Sequence, residues 1–235
     1  MANIDDIDIE VKKLPTLLGE SLGDSVADIS ELAIDSVIQN GLLKEIPIVG
    51  TIVGFCKLGM NLKERNLLKQ ALNFINEFNN GTMDPEKLKK YQEEIKSNPK
   101  KAEEELGRCL LILNSTIETI HSKIQGRLFS SYVNQSISWD KYVELSDAAN
   151  RLFVADMKAL VKIDSQPDKY VGVQTNKAYN YFRLQSLGLL TSGVGMFDMG
   201  DENSGDFDMD SNVFTLSPFG KTFLQCSGLQ SLISQ

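Results

Sequence analysis

Residues 44–78 read KEIPIVGTIVGFCKLGMNLKERNLLKQALNFINEF, and the reading of this stretch decides the fold. From Ile46 to Cys56 eleven consecutive residues carry no charge, and apolar character continues past Lys57 to Leu62. As helix, eleven residues cover roughly 16 Å and the run through Leu62 about 25 Å, against about 30 Å of bilayer hydrocarbon. The run is too short for a single span. Gly50 and Gly54 stand four apart, a spacing that lets helices approach closely in lipid or in water. Lys57, Lys63, Arg65 and Lys69 follow directly, placed where they would meet anionic headgroups. Three readings stay open: a glycine-packed core helix, an element that docks on or inserts into a membrane, and a partner-binding face. Beyond the run, Leu67, Leu68, Leu72, Ile75 and Phe78 recur at three- and four-residue spacing, which predicts an amphipathic helix ending at NNGTMD.

Helical patterning extends in both directions. Upstream, Leu22, Val26, Ile29, Ala33, Val37 and Ile38 form one apolar stripe, with Asn40-Gly41 as its expected C-cap and Pro47 opening the next helix. Downstream, Asp84-Pro85-Glu86 has the form of an N-cap, a first-position proline and an acidic first turn, and Asn98-Pro99 repeats the device. Leu106, Leu110, Leu113, Ile117, Ile120 and Ile124 then extend as one long stripe. From Gly126 a short helix, a turn and two further helices are expected, with Trp139 and Phe153 as core anchors.

The tail is organised differently. TNKAYNYFRLQSLGLLTS reads as a helix ending at Gly188, GVGMFD and NVFTLSPFGKTFLQC as two strands, and a final helix starts near Pro218. The expected fold is therefore mainly α: an N-terminal multi-helix domain over 1–164, then a small α+β, winged-helix-like domain over 165–235 with a two-stranded hairpin. Between the strands, residues 198–210 hold six acidic residues and no basic one.

Composition narrows the function classes. The 235 residues carry a net charge of −8, unevenly spread: nine acidic and two basic side chains in 1–40, sixteen and eighteen in 41–164, seven and four in 165–235. No region has the strong positive field that neutralises a phosphate backbone, so DNA is not the expected partner. MANIDDIDIEVKK has no basic segment followed by an apolar one, and no secretory signal is expected. Cys56, Cys109 and Cys226 are scattered without a CxxC, which suits reduced thiols buried as small hydrophobes. The expected location is the cytoplasm, peripheral to the inner membrane if residues 46–69 engage lipid.

No enzymatic signature is present. The one histidine, His121, sits beside Ile120 in an apolar helical stripe, and His and Cys are not clustered as metal ligands. There is no Walker loop, and GVGMFDMG does not make GxGxxG. Asp201, Glu202, Asp206, Asp208 and Asp210 are the best cation candidates, but counted from Asp206 the sixth and twelfth positions of a calcium loop hold Ser211 and Ser217. The expectation is no catalytic residue, no cofactor and no metal site. Should the tail read DNA, Asn176, Lys177, Asn180 and Arg183 on its helix would carry the contacts, although an acidic wing opposes that reading.

LLKEIPIVGTIVGFCKLGMNLKERNLLKQALNFINEF, GRLFSSYVNQSISWDKYVELSDAANRLFVADMKAL and LQSLGLL…FTLSPFGKTFLQC, in this order, resemble poorly characterised bacterial and prophage proteins of the abortive-infection alpha type. The resemblance implies a place in phage–host conflict and supplies no catalytic residue. The function expected is a non-enzymatic effector or accessory protein in phage defence. It would bind a protein partner, with Gly50 and Gly54 for close helix approach and Lys57, Lys63 and Arg65 for an anionic partner or membrane surface. The alternative is a winged-helix transcriptional regulator. A homodimer is consistent with the long 106–124 stripe.

Overall fold

Helix caps written in the sequence set the frame of the helical region. In the computed structural model, which describes residues 62–80, 83–166, 170–193 and 211–234, α1 spans Leu62–Asn80, α2 Pro85–Ser97 and α3 Pro99–Ser115. Asp84 caps α2 by accepting from the backbone N–H of Glu86 and Lys87. Asn98 both ends α2 and caps α3 through the N–H of Lys101. Both proline devices thus act as predicted, each satisfying donors a helix start leaves open.

The long stripe breaks where one continuous run was expected. α3 stops at Ser115 and α4 (Thr119–Val133) begins after a three-residue joint. The cause is local. The hydroxyls of Ser115 and Thr116 donate back to the Ile112 carbonyl at 2.8 Å each, offering the backbone an alternative to further helix. The freed carbonyls find partners on α1: Asn66 Nδ2 donates to Thr116 O at 2.6 Å and Gln70 Nε2 to Ile117 O at 2.7 Å. Ile117 itself is 80% exposed, so the stripe offers no continuous face from 106 to 124. Gly126, expected to open a short helix, lies inside α4 instead. A Cβ there would strike the Phe74 carbonyl oxygen of α1, so glycine is what lets the two helices meet so closely.

α5 spans Trp139–Arg151. The core of this region is aromatic: Phe74, Phe78, Tyr91, Phe129 and Tyr142 are buried, with ring centroids 5.4–5.8 Å from Phe129 to the other four. Trp139 stacks on Tyr142 at 5.1 Å and is half-buried. Five well-packed rings bury enough apolar surface to hold the helices together at about 1.5–3 kcal/mol each.

The chain divides into two compact units after Asn150, whereas the sequence reading placed its boundary at 164–165, one helix later. The second unit contains α6 (Val154–Ser165), β1 (Tyr170–Gln174), a 3₁₀ turn (Thr175–Lys177), α7 (Tyr179–Ser186), β2 (Leu190–Gly193), β3 (Ser211–Leu216), α8 (Pro218–Ser227) and α9 (Leu229–Ile233). The chain is mainly helical, with a small antiparallel sheet near its C-terminus. Among the described residues that sheet has three strands rather than two, in the order β1-β3-β2. β3 is central, pairing Val171 with Phe214 on one side and Gly193 with Val213 on the other. β1 was not anticipated. β2 ends at Gly193, so the part of the GVGMFD strand beyond it lies outside the described residues. The expected helix 175–188 is a turn followed by α7. Phe214, Leu216, Leu190, Leu184 and Leu160 are buried in this unit. Ser217 caps α8, accepting from Gly220 N at 2.8 Å and donating its hydroxyl to Gly188 O.

Candidate protein-interaction site

The N-terminus of α6 begins with an aromatic residue in an unusual place. Phe153, expected in the core, is the extended N-cap residue and is 63% exposed. Three residues on, Asp156 reaches back to accept the Phe153 N–H at 3.0 Å, as an acidic residue at this position of a helix start does. This carboxylate is fully buried, so it needs further partners. Arg183 of α7 supplies them: Nε donates to Asp156 Oδ2 at 3.0 Å and Nη2 to Oδ1. Nη2 also donates to Asn180 Oδ1 at 2.9 Å. Donating to the Asp156 carboxylate holds the Arg183 guanidinium even more firmly protonated than usual.

The same guanidinium lies 4.9 Å from the Phe153 ring centroid and 5.5 Å from that of Tyr179. Tyr179 is also 63% exposed, one helical turn before Arg183. The arrangement is a cation between two largely solvent-facing rings, anchored from beneath by a buried carboxylate. Its Arg183 side chain keeps 37% exposure. Phe182 adds a further exposed ring, seated edge-on against Phe214 at 5.3 Å. Aromatic rings beside arginine are the composition that dominates protein-interface energetics, and each exposed cation–π contact contributes about 0.5–1 kcal/mol.

The structure sorts the residues nominated from sequence. Asn180 and Arg183 come together, but on Asp156 rather than as a free cation. Asn176 and Lys177 are exposed in the 3₁₀ turn. Lys63 and Arg65 fall in the first turns of α1. Gly50, Gly54, Lys57 and the acidic loop 198–210 lie outside the described residues. Phe153, Asp156 and Tyr179 were not nominated. A signal was present for one of them: a charge at 156 interrupts the otherwise apolar face of Leu152, Met157 and Leu160.

Among the described residues, the helical unit holds a second buried carboxylate, Glu105. Glu105 accepts from Tyr91 Oη at 3.0 Å and Tyr132 Oη at 2.7 Å. Lys101 Nζ stands 3.7 Å away and is shared with Glu94 at 2.6 Å. Burial raises the Glu105 carboxyl above its ordinary range, opposed by these hydrogen bonds and by Lys101. Burial also raises both tyrosine hydroxyls. Nearby, Cys109 Sγ lies 3.2 Å from Tyr142 Oη, and burial pushes its thiol up to about 12. A thiol so placed stays protonated and inert at neutral pH. His121 is half-buried near the start of α4.

Among the described residues, no three His, Cys, Asp or Glu are placed to share a metal ion, and no helix is long and apolar enough to cross a membrane. Compared with protein-family models, curated proteins and solved structures, the chain matches none.

Proposed function

We propose that this chain is a non-enzymatic binding protein that docks a protein partner on the Arg183-centred surface of its C-terminal unit, serving as an effector or accessory factor in bacterial phage defence. One observation carries the binding reading: two aromatic residues, each 63% exposed, flank an arginine that is paired with a buried carboxylate. Large apolar groups fixed at a surface cost solvation unless something covers them. The defence role rests on the resemblance of the sequence. Membrane engagement rests on the composition of residues 46–69 alone.

The test is protection of a bacterial host expressing the chain and challenged with a panel of phages. Wild-type protein is expected to lower plating efficiency, and Phe153→Ala/Tyr179→Ala to abolish that protection while its circular dichroism is unchanged. Full protection by the double variant would remove this surface from the account. No protection by wild type against any phage in the panel would remove the defence role.

A second reading, a winged-helix DNA-binding regulator, draws support from one observation: in chain order α7 precedes the antiparallel pair β2 and β3, although residues 151–235 carry nine acidic side chains against seven basic ones. Salt-sensitive binding to duplex DNA that Lys177→Glu weakens would favour this reading over the first. Absence of binding at low salt would dismiss it.

A further inference from the structure

Among the described residues, β1 is an edge strand of the small sheet. β1 reads Tyr170-Val-Gly-Val-Gln174, and among the described residues it has β3 on one side and no strand on the other. Each residue of a strand turns its N–H and C=O toward one edge, alternating along the chain, so part of the β1 backbone faces away from β3. Natural edge strands are usually guarded by a lysine, a proline or an inward-pointing charge. β1 has none of these: its five residues are all uncharged and none is proline. None of the five is buried.

We propose that β1 pairs antiparallel with β1 of a second copy of this chain about a two-fold axis through Gly172. The sequence is self-complementary in that register. Val171 stands opposite the second copy's Val173, and Tyr170 opposite its Gln174, so every contact is made twice. Val171 and Val173 share the sheet face of Phe214, as their pairing with Phe214 and Asn212 and the strand alternation require. Two-fold pairing therefore joins the two apolar faces into one and extends the sheet to six strands. It sets no like charges against each other, which separates this edge from the charged helix surfaces elsewhere on the chain. Gly172 is suited to the axis: a Cβ there would meet nothing within 4 Å, so the backbone is open to close approach.

The same openness supplies a clean test. Gly172→Asp fits the protomer without displacing any neighbour, yet it sets two carboxylates opposite each other across the axis. Sedimentation equilibrium of the full chain is expected to give a concentration-dependent species of twice the 26.1 kDa protomer mass. Gly172→Asp is expected to raise the dimer dissociation constant about tenfold or more at neutral pH, with an unchanged circular dichroism spectrum. Gly172→Cys gives an independent reading, because directly opposed residues lie about 4.5–5.5 Å apart at Cα, within reach of a disulfide. Oxidation of that variant should yield a disulfide joining position 172 of one copy to position 172 of the other, identified by peptide mass spectrometry. A protomer that stays monomeric throughout, or a dimer that Gly172→Asp leaves intact and that forms no such crosslink, would overturn the proposal.

Discussion

Two buried carboxylates, Glu105 and Asp156, solve the same problem in opposite directions. Glu105 in the helical unit is surrounded by neutral tyrosine donors, and Lys101 stands 3.7 Å off with a second acid to serve. Asp156 in the C-terminal unit receives two hydrogen bonds from one guanidinium and another from the backbone. The first cluster points inward and ties α2, α3 and α4 together. The second uses its buried acid to brace a surface, because the arginine it holds extends between exposed rings. The partners of Glu105 are buried or half-buried, whereas the arginine on Asp156 keeps 37% side-chain exposure.

The largest effect that would sharpen this contrast is at Asp156. Asp156→Ala removes the carboxylate beneath Arg183 and the acceptor for the Phe153 N–H. The C-terminal unit is expected to lose about 3 kcal/mol, toward the low end for a broken buried pair because Arg183 retains solvent contact. Hydrogen exchange, read separately over the two units, would show protection lost in 151–235 alone. An equal loss in both units would break the contrast.

Next in size is Tyr132→Phe, which deletes the 2.7 Å hydrogen bond to Glu105. A hydrogen bond to a charged acceptor contributes about 1.5–3 kcal/mol. Partial exposure of Tyr132 puts the expected loss near the lower figure, measured by urea unfolding. If Tyr132→Phe is neutral, the hydroxyl does not hold the acid.

The smallest effect is a slope. Because the folded Glu105 carboxyl lies above its ordinary value of 4.5, the folded state binds this proton more tightly than the unfolded state. Its contribution to stability is therefore greatest when protonated and falls as pH rises from 4.5 through the folded value. Glu105→Gln should flatten that part of the melting-temperature profile. An unchanged slope would show that another group sets it.

Short-range signals were readable in the sequence. Asp84, Asn98 and Pro218 marked helix starts because a cap and its proline lie within three residues of each other. Apolar spacing correctly put Leu72, Ile75 and Phe78 in the core. Reading failed where partners lie far apart in the chain. Ile117 kept the apolar period, yet the joint around it is stabilised by Asn66 and Gln70, about fifty residues earlier. Phe153 looked like a core residue, and only Arg183, thirty residues later, gives it a place at the surface. β1 is five residues with a central glycine, too short and too weakly patterned to stand out without β3 beside it. Of the candidate site, Asn180 and Arg183 were legible only as polar residues and were read as nucleic-acid contacts, while the rings beside Arg183 carry no such mark.

The pairing of Gly193 with Val213 closes the β2–β3 connection at its base. Its two ends are held one strand spacing apart whatever lies between them, and doubling the length of such a closed loop costs only about 0.6 kcal/mol. A change in the length of this connection therefore costs the Gly193–Val213 pairing little closure entropy.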